Sequence, residues 1–197
     1  MTQLDKLIHI KSNNIKPIGG RILISEPLLN DFYFGRSVVL LIEHNEDGSF
    51  GVIVNKPIHV KIQEAIPDFP DFETNIYLGG PVSTEQIFFL HTIGEAIEGS
   101  MKITNDGVYW GGDLDIVKEM ISMKTLDPQD IRFFIGYSGW VPKQLENELK
   151  SNSWLVSPTS KNEIFSESPE KLWNTIVKRL GENYTLWTQY PLDPNMN

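Results

Sequence analysis

The sequence contains no cysteine among its 197 residues. Disulfides, thiolate metal sites and cysteine nucleophiles are therefore excluded, although the absence says little about the cellular compartment. Long hydrophobic runs are also missing, since the run at 38–42 is far shorter than the roughly 18–20 apolar residues of a membrane-spanning helix. The stretch 1–14 lacks a basic segment followed by an apolar core and a cleavage site. We therefore expect a cytoplasmic protein without a secretory signal or a membrane partner.

Basic residues are scarce, with 17 Lys and Arg against 26 Asp and Glu, which gives a net charge of −9. Nucleic-acid binding relies on Lys and Arg to neutralise phosphates. The densest basic stretch, Lys178-Arg179 with Lys171, falls on the outer face of a predicted helix. Direct nucleic-acid binding is therefore not favoured, and the negative charge is interpreted as a contribution to solubility.

Apolar, β-branched stretches bounded by turn residues predict seven strands. They lie at 21–25, 37–43, 50–55, 75–79, 86–91, 131–137 and 153–157. The Asp47-Gly48 pair predicts a hairpin between the second and third strands. Strands cluster while helices come mainly in the second half, which favours an α+β fold. Since no linker or repeat interrupts the chain, we expect one domain over 1–197.

Three predicted helices have recognisable ends. Asp113 is placed to cap a helix that runs to about residue 123. Pro142 is expected to open a second helix, which buries Leu145 and Leu149. The C-terminal helix covers about 169–180, with Ser168 as its N-cap.

The tripeptide Glu43-His44-Asn45 ends a predicted strand. A histidine beside a carboxylate is a candidate general base, because its ordinary pKa suits proton transfer at neutral pH. Adjacent strand residues, however, point to opposite faces, so Glu43 is not expected to orient His44 directly. The alternative is that His44 and Asn45 satisfy backbone groups around the turn.

Gly79-Gly80-Pro81 forces a turn whose amides are candidates to receive an anion or a carbonyl oxygen. The alternative is a purely structural turn, since no phosphate-binding glycine spacing occurs. His91 ends the next strand in an apolar setting, which favours a hydrogen-bonded core residue. The histidines lack metal-binding spacing, and His44 with His91 is the only candidate pair. We therefore predict neither a metal nor a cofactor.

Residues 136–140, GYSGW, resemble the G-x-S-x-G nucleophile elbow of hydrolases, with Ser138 as the nucleophile. Trp140 nevertheless stands where the elbow needs its second glycine, and no histidine follows His91. The alternative is a sharp corner between a strand and a helix. Gly136 and Gly139 would turn the chain there, Ser138 would bond to local backbone, and Trp140 would pack beneath the helix opened by Pro142.

Four stretches together resemble the bacterial AlgH/YqgE family. They are GRILISEPLLNDFYFGRSVVLLIEHNEDGSFGVIVNKP, YLGGPVSTEQIFFLH, WGGDLDIVKEM and FFIGYSGWVPKQLENEL, and the similarity runs over about 20–155. Val141 and nearby Lys143 depart from the pattern, which commonly has a glycine at position 141. The resemblance implies an α+β fold whose branched, mixed β-sheet curls into a barrel-like core with peripheral helices. It implies no reaction, although some members are labelled transcriptional regulators.

The motif residues carried over by this resemblance are polar groups and glycines at strand ends, which suit a binding cleft. The predicted ligand-binding residues are Arg36, Glu43, His44, Asn55, Gly79, Gly80, His91 and Ser138. Arg36 would supply charge, His44 and Asn55 hydrogen bonds, and the glycine amides an anchor.

The favoured function is a regulatory binding module for a protein partner or a small polar molecule, with indirect effects on gene expression. The first alternative is a hydrolase that uses His44 as base and Ser138 or an activated water as nucleophile. An enzyme of that kind would need His44 or Ser138 to line an open cleft. The third possibility, a direct DNA-binding regulator, is disfavoured by the net charge.

Overall fold

The structure is a computed structural model that describes residues 13–29 and 31–190. Residues 1–12 lie outside the described residues. They include His9 and most of the stretch 1–14, for which the sequence predicts no secretory signal. Ten strands are present in the described part. They are β1 Ile22–Ser25, β2 Val38–Asn45, β3 Gly48–Ile53, β4 Pro57–Ile58, β5 Ile76–Leu78, β6 Val82–His91, β7 Met101–Lys102, β8 Tyr109–Trp110, β9 Ile131–Trp140 and β10 Trp154–Ser157.

Strand β9 is the centre of the sheet. One of its edges pairs antiparallel with β6. The other edge pairs first in parallel with β5 at 133–135, then antiparallel with β3 at 138–140. The main path runs β10-β1-β2-β3-β9-β6-β8-β7, while β4 and β5 branch from it. The expected mixed, branched sheet is therefore present, and within the described residues no pairing joins β7 to β10, so the path is open.

Six α-helices surround this sheet in the described part of the chain. They are α1 Ile62–Ala65, α2 Leu114–Ser122, α3 Gln144–Lys150, α4 Lys161–Ile164, α5 Leu172–Arg179 and α6 Glu182–Thr185. The Asp113 cap is confirmed, because its carboxylate accepts a hydrogen bond from the Asp115 amide at 2.8 Å. None of the described helices has the length and apolar character needed to cross a membrane.

Two predicted helix starts need correction. The helix expected from Pro142 begins at Gln144, because Lys143 takes a left-handed backbone with φ of 67°. Ser168 makes no side-chain cap, and Pro169–Lys171 form a short 3₁₀ turn before α5. The predicted packing nevertheless holds, since Leu145 is buried and Leu149 packs against the same cluster.

The sheet is covered on both faces. This is required by the continuous apolar run of β2, because successive side chains of a strand point to opposite faces. Val38 and Leu40 pack with Trp173 and Ile176 of α5. Val39 and its neighbours on the opposite face pack with Trp140, Leu145 and Trp154. The single-domain α+β expectation is confirmed by this arrangement.

The hairpin between β2 and β3 is confirmed, with Asn45 opposite Gly48. Residues 136–140, however, form neither a nucleophile elbow nor a corner between a strand and a helix. They continue β9 to Trp140, with Gly51 opposite Ser138 and Ser49 opposite Trp140. Gly136, at φ of 67°, absorbs an irregularity in the pairing with β6, so the strand continues beyond it.

Candidate binding groove

An open groove of about 830 Å³ lies where the β2–β3 hairpin meets β6, β8 and β9. Its floor consists of four half-buried rings, which we call the aromatic floor: Phe50, Phe88, Trp110 and Tyr137. The Phe88 ring is stacked on Trp110 at 5.6 Å between centroids. Phe50 makes edge contacts with Trp110 at 5.9 Å and with Tyr137 at 6.1 Å. Such edge-to-face and stacked pairs are the geometries that aromatic quadrupoles favour, so the floor is a defined surface.

The irregularity at Gly136 explains why Tyr137 reaches this floor. In a regular strand Phe134 and Tyr137, three positions apart, would point to opposite faces. Here both pack in the same cluster, because the positive φ of Gly136 interrupts the alternation of side chains along β9. Gly139 then shares the face of Phe50, which stands directly opposite it. A Cβ at Gly139 would lie 3.3 Å from Cε2 of Tyr137, so the missing side chain leaves room for the ring.

The rim of the groove is acidic. Glu43 and Asp47 are exposed carboxylates on the hairpin, and no Lys, Arg or His is among the lining residues of the described chain. Asn45 fixes the hairpin, since its amide donates to Glu43 Oε1 at 2.5 Å and its Oδ1 accepts from the Asp47 amide at 2.8 Å. A cationic group beside the rings would therefore meet favourable charge and aromatic faces.

Val141 extends the apolar surface at the edge of the groove. Its side chain is 68% exposed, and it stands where the family resemblance leads one to expect glycine. Since a glycine would present no side chain, this departure enlarges the apolar area available to a ligand.

Ser138 lies outside the groove lining and is fully buried. Its hydroxyl donates to the Gly79 carbonyl at 3.0 Å. The corner hypothesis expected a local backbone partner, whereas Gly79 is distant in sequence. His44 instead contacts Ser49, with Nδ1 and Oγ 2.7 Å apart. Strand β3 separates His44 from Ser138, and two strand spacings amount to about 10 Å. The structure therefore does not bring the two candidate catalytic residues together.

Gly79 and Gly80 serve the close approach of β5 to β9. The Gly79 amide donates to Ile135 at 2.8 Å, and its carbonyl accepts from Ile53 at 3.0 Å as well as from Ser138. A Cβ at Gly79 would stand 2.2 Å from the Gly136 oxygen, and one at Gly80 would stand 2.3 Å from the Tyr137 oxygen. The Gly79 amide is thus engaged in the sheet.

Arg36 and Asn55 meet away from the groove. Asn55 is buried, accepts from the Val38 amide at 2.7 Å and donates to the Arg36 carbonyl at 3.0 Å. The Arg36 guanidinium donates to the Tyr190 carbonyl and lies 5.1 Å from the centroid of Trp173. Burial lowers the pKa of Arg36. These contacts tie the loop before β2 to the C-terminal part of the described chain.

His91 is a buried, hydrogen-bonded residue. Its Nε2 lies 3.1 Å from the Gly111 carbonyl, and its ring stacks on Tyr109 at 5.6 Å. Burial lowers the pKa of His91, and the hydrogen bond to Gly111 opposes this only in part. In the described part of the chain, no three His, Cys, Asp or Glu side chains group closely enough to hold a metal ion.

Only Glu43 among the predicted ligand-binding residues lines the groove. The binding roles of all eight residues, Glu43 included, stay predictions from sequence. Sequence reasoning missed Phe50, Phe88, Trp110 and Tyr137, because a lone aromatic in an apolar strand equally predicts core. The usable indication was glycine next to aromatic residues within the family-like stretches, as in Gly136-Tyr137.

The fold and groove define a single α+β domain with a branched sheet and an aromatic cleft. The family model described as AlgH-like matches residues 22–185. A UPF0301 protein of Parabacteroides distasonis is 42% identical over 198 residues, which cover 100% of both chains. A UPF0301 protein of Bacteroides fragilis is 41% identical over 192 residues, or 97% of each chain. The chain therefore belongs to the AlgH-like family, which confirms the resemblance noted in its sequence.

Solved structures agree with this assignment. The solution structure of the AlgH protein from Pseudomonas aeruginosa has a TM-score of 0.70 and 30% identity, covering 90% of this chain and 97% of its own. The crystal structure of protein DIP2367 from Corynebacterium diphtheriae has a TM-score of 0.75, covering 89% of this chain and 94% of its own, and at 23% identity shows the shared fold.

Proposed function

We propose that this protein is a cytoplasmic binding module that receives a basic, apolar segment of a partner protein in its aromatic groove. The supporting observation is the combination of four accessible rings with two rim carboxylates and no lining cation. Any influence on gene expression would be indirect, because the groove repels phosphate groups.

The groove has the size and chemistry of a recognition site. Its volume of about 830 Å³ falls within the usual range for ligand sites. Aromatic residues supply large contact areas at low cost in side-chain entropy, which is why they dominate binding hot spots. Trp110 offers the ring type that attracts Lys and Arg most strongly, and Glu43 and Asp47 add long-range attraction.

Side chains rather than a new strand would carry the recognition. Strand β3 pairs with β2 on one edge and with β9 on the other. The backbone under the groove therefore lacks the free edge that strand addition requires. A partner segment would place an apolar side chain on the aromatic floor and a Lys or Arg against the rim.

Phage-displayed random peptides, panned against the wild-type protein, test the proposal. We expect enriched peptides to pair Arg or Lys with an aromatic or aliphatic residue. The Glu43→Gln/Asp47→Asn double variant should weaken the selected peptides severalfold in calorimetric titration, with the loss shrinking at high salt. Glu119→Gln, an exposed change on α2 outside the groove, should bind as the wild type does.

A Trp110→Leu variant separates the apolar contribution from the charge contribution. This variant should lower the affinity for the same peptides without changing how that affinity depends on salt, since the rim carboxylates stay in place. Enrichment of acidic peptides, or equal binding by all variants, would contradict the proposal. A circular dichroism spectrum should show that each variant is folded. This control is needed because Phe88 stacks directly on the Trp110 ring, so that the substitution also removes a packing contact.

A further inference from the structure

Arg132, near the start of β9, is only 7% exposed. Its guanidinium donates to the Val54 carbonyl at 3.2 Å and to the Ser166 carbonyl at 2.5 Å. It lies over the Tyr77 ring at 4.6 Å and near the Phe165 ring at 5.4 Å. A buried cation is thus held in place by carbonyls and aromatic faces.

This cation lacks a carboxylate contact in the described chain, where the ion pairs are Lys118–Asp115 and Arg179–Glu163. A guanidinium carries five N–H donors, and the described residues accept from two of them. Burial lowers the pKa of Arg132, while Tyr77 and Glu170 act in the opposite sense, and an arginine stays charged in a protein. No Arg132 atom is among the buried side-chain atoms of the described chain that lack a hydrogen-bond partner. The remaining donors are therefore accessible and can serve an anionic acceptor.

A cavity of about 650 Å³ opens beside this guanidinium. Arg132, Tyr77 and Phe165 line it together with Lys161 and several carboxylates. Asp130 is engaged by the Thr92 hydroxyl at 2.6 Å. Glu73, Glu167 and Glu170 are exposed, as is Lys161. The cavity therefore combines a buried positive charge with a mouth where carboxylates outnumber the one lysine.

We propose that this cavity binds a small molecule that carries a carboxylate and a separate cationic group, of the kind found in a basic amino acid. The ligand carboxylate accepts from the unpaired donors of Arg132, the geometry in which Arg recognises carboxylates most strongly. The ligand cation faces Glu170 and its neighbours. This site is distinct from the aromatic groove, whose β9 residues lie at 137 and beyond, and does not depend on it.

The charge order decides between ligand classes. A simple anion such as phosphate would meet the exposed carboxylates on entry, and a simple amine would meet the guanidinium at the base. A ligand with both charges satisfies each end. Two sources share this chemistry, a free basic amino acid and the C-terminal residue of a peptide that ends in Lys or Arg.

The test uses amide chemical shifts of the full-length protein titrated with L-arginine, L-argininamide and succinate. We expect L-arginine to shift amides around Ser166 and Thr74, and to leave those of the groove residues Ser49 and Gly139 unchanged. L-argininamide, which lacks the carboxylate, should bind at least tenfold more weakly, since it loses a charge-assisted bidentate contact. N-acetyl-arginine then separates the sources: binding as tight as arginine indicates a peptide end, and loss of binding indicates a free amino acid.

Two variants make the test decisive. Glu170→Gln changes an exposed side chain. It should lower the affinity for L-arginine about two- to fivefold, the range typical of an exposed ion pair, and raise the affinity for succinate. Glu119→Gln is the matched control. Arg132→Lys keeps the charge but loses the planar donors, and should abolish arginine shifts in a protein whose spectrum remains folded.

The proposal is overturned if L-arginine and L-argininamide shift the same amides equally in the wild type. It is also overturned if arginine gives no shift near Ser166, or if Glu170→Gln changes neither ligand. These wild-type and Glu170 measurements stand even if the Arg132 variant fails to fold.

Discussion

Glu148 on α3 is expected to be among the most important polar residues for stability. Its Oε2 accepts hydrogen bonds from Nε1 of Trp140 at 2.8 Å and of Trp154 at 2.7 Å. Its Oε1 accepts from Gln144 at 2.9 Å. The two indoles are 6% and 2% exposed and contact each other edge-on at 6.0 Å. One carboxylate therefore ties the end of β9, the start of β10 and α3 together.

Glu148→Ala should leave both indole N–H groups without an acceptor in a site that water reaches poorly. An unsatisfied buried donor costs about 1–3 kcal/mol, so two cost about 2–6 kcal/mol, and we expect a loss near 4 kcal/mol. A domain of this kind has about 5–15 kcal/mol in total, so the variant should be marginal. Glu148→Gln keeps the shape and one acceptor oxygen, and should cost about 1–2 kcal/mol.

Urea denaturation at fixed pH, followed by tryptophan fluorescence, measures both changes. Glu146→Ala, on the same helix and without a side-chain hydrogen bond in the described chain, is the control and should stay within about 0.5 kcal/mol of the wild type. If Glu148→Ala unfolds at the same urea concentration as Glu146→Ala, with an unchanged slope, the indole contacts do not contribute to stability and the reasoning is refuted.

Three further changes test other parts of the structure. Ser138→Ala should lower the free energy of unfolding by about 1 kcal/mol, because Gly79 keeps the Ile53 amide as donor, and should leave peptide binding in the groove intact by calorimetry. Gly79→Ala should cost about 3 kcal/mol or prevent folding, because its Cβ would overlap backbone across β5 and β9, as thermal unfolding would show. For His91, burial lowers the folded pKa, so below the unfolded value of about 6.5 the unfolded chain binds more protons and stability falls with falling pH. The difference in unfolding free energy between wild type and His91→Gln should therefore be largest at pH 7.5 and shrink towards pH 5, by roughly 1.4 kcal/mol per pH unit at most.

Each of these has an outcome that contradicts it. Loss of peptide binding in folded Ser138→Ala would restore a functional role for that hydroxyl. A Gly79→Ala protein as stable as the wild type would show that β5 and β9 are less closely joined. Parallel pH profiles for wild type and His91→Gln would indicate that His91 titrates alike in both states.

Local sequence patterns were sufficient for seven of the ten strands and three of the six α-helices of the described chain. The apolar run of β2, the turn at Asp47-Gly48 and the cap at Asp113 each depend on residues within a few positions, and all three predictions are confirmed. Local patterns do not predict the register between β9 and its neighbours β5 and β3, because these strands are distant in sequence. The Ser138 hydroxyl bonds to Gly79, 59 positions earlier, and reasoning about GYSGW alone supplied only local partners.

The glycines show why the candidate site was harder to predict than the fold. A glycine next to a turn is compatible with an exposed amide for a ligand and with backbone packing, and sequence alone does not distinguish them. Backbone packing accounts for Gly79, because its amide and its carbonyl are both hydrogen-bonded within the sheet. Its close contact with Gly136 explains why a side chain is not tolerated there. The same branch turns Tyr137 towards Phe50 and Phe88. The motif glycines therefore act on the groove indirectly, by building the sheet that leaves these rings accessible beside an acidic hairpin.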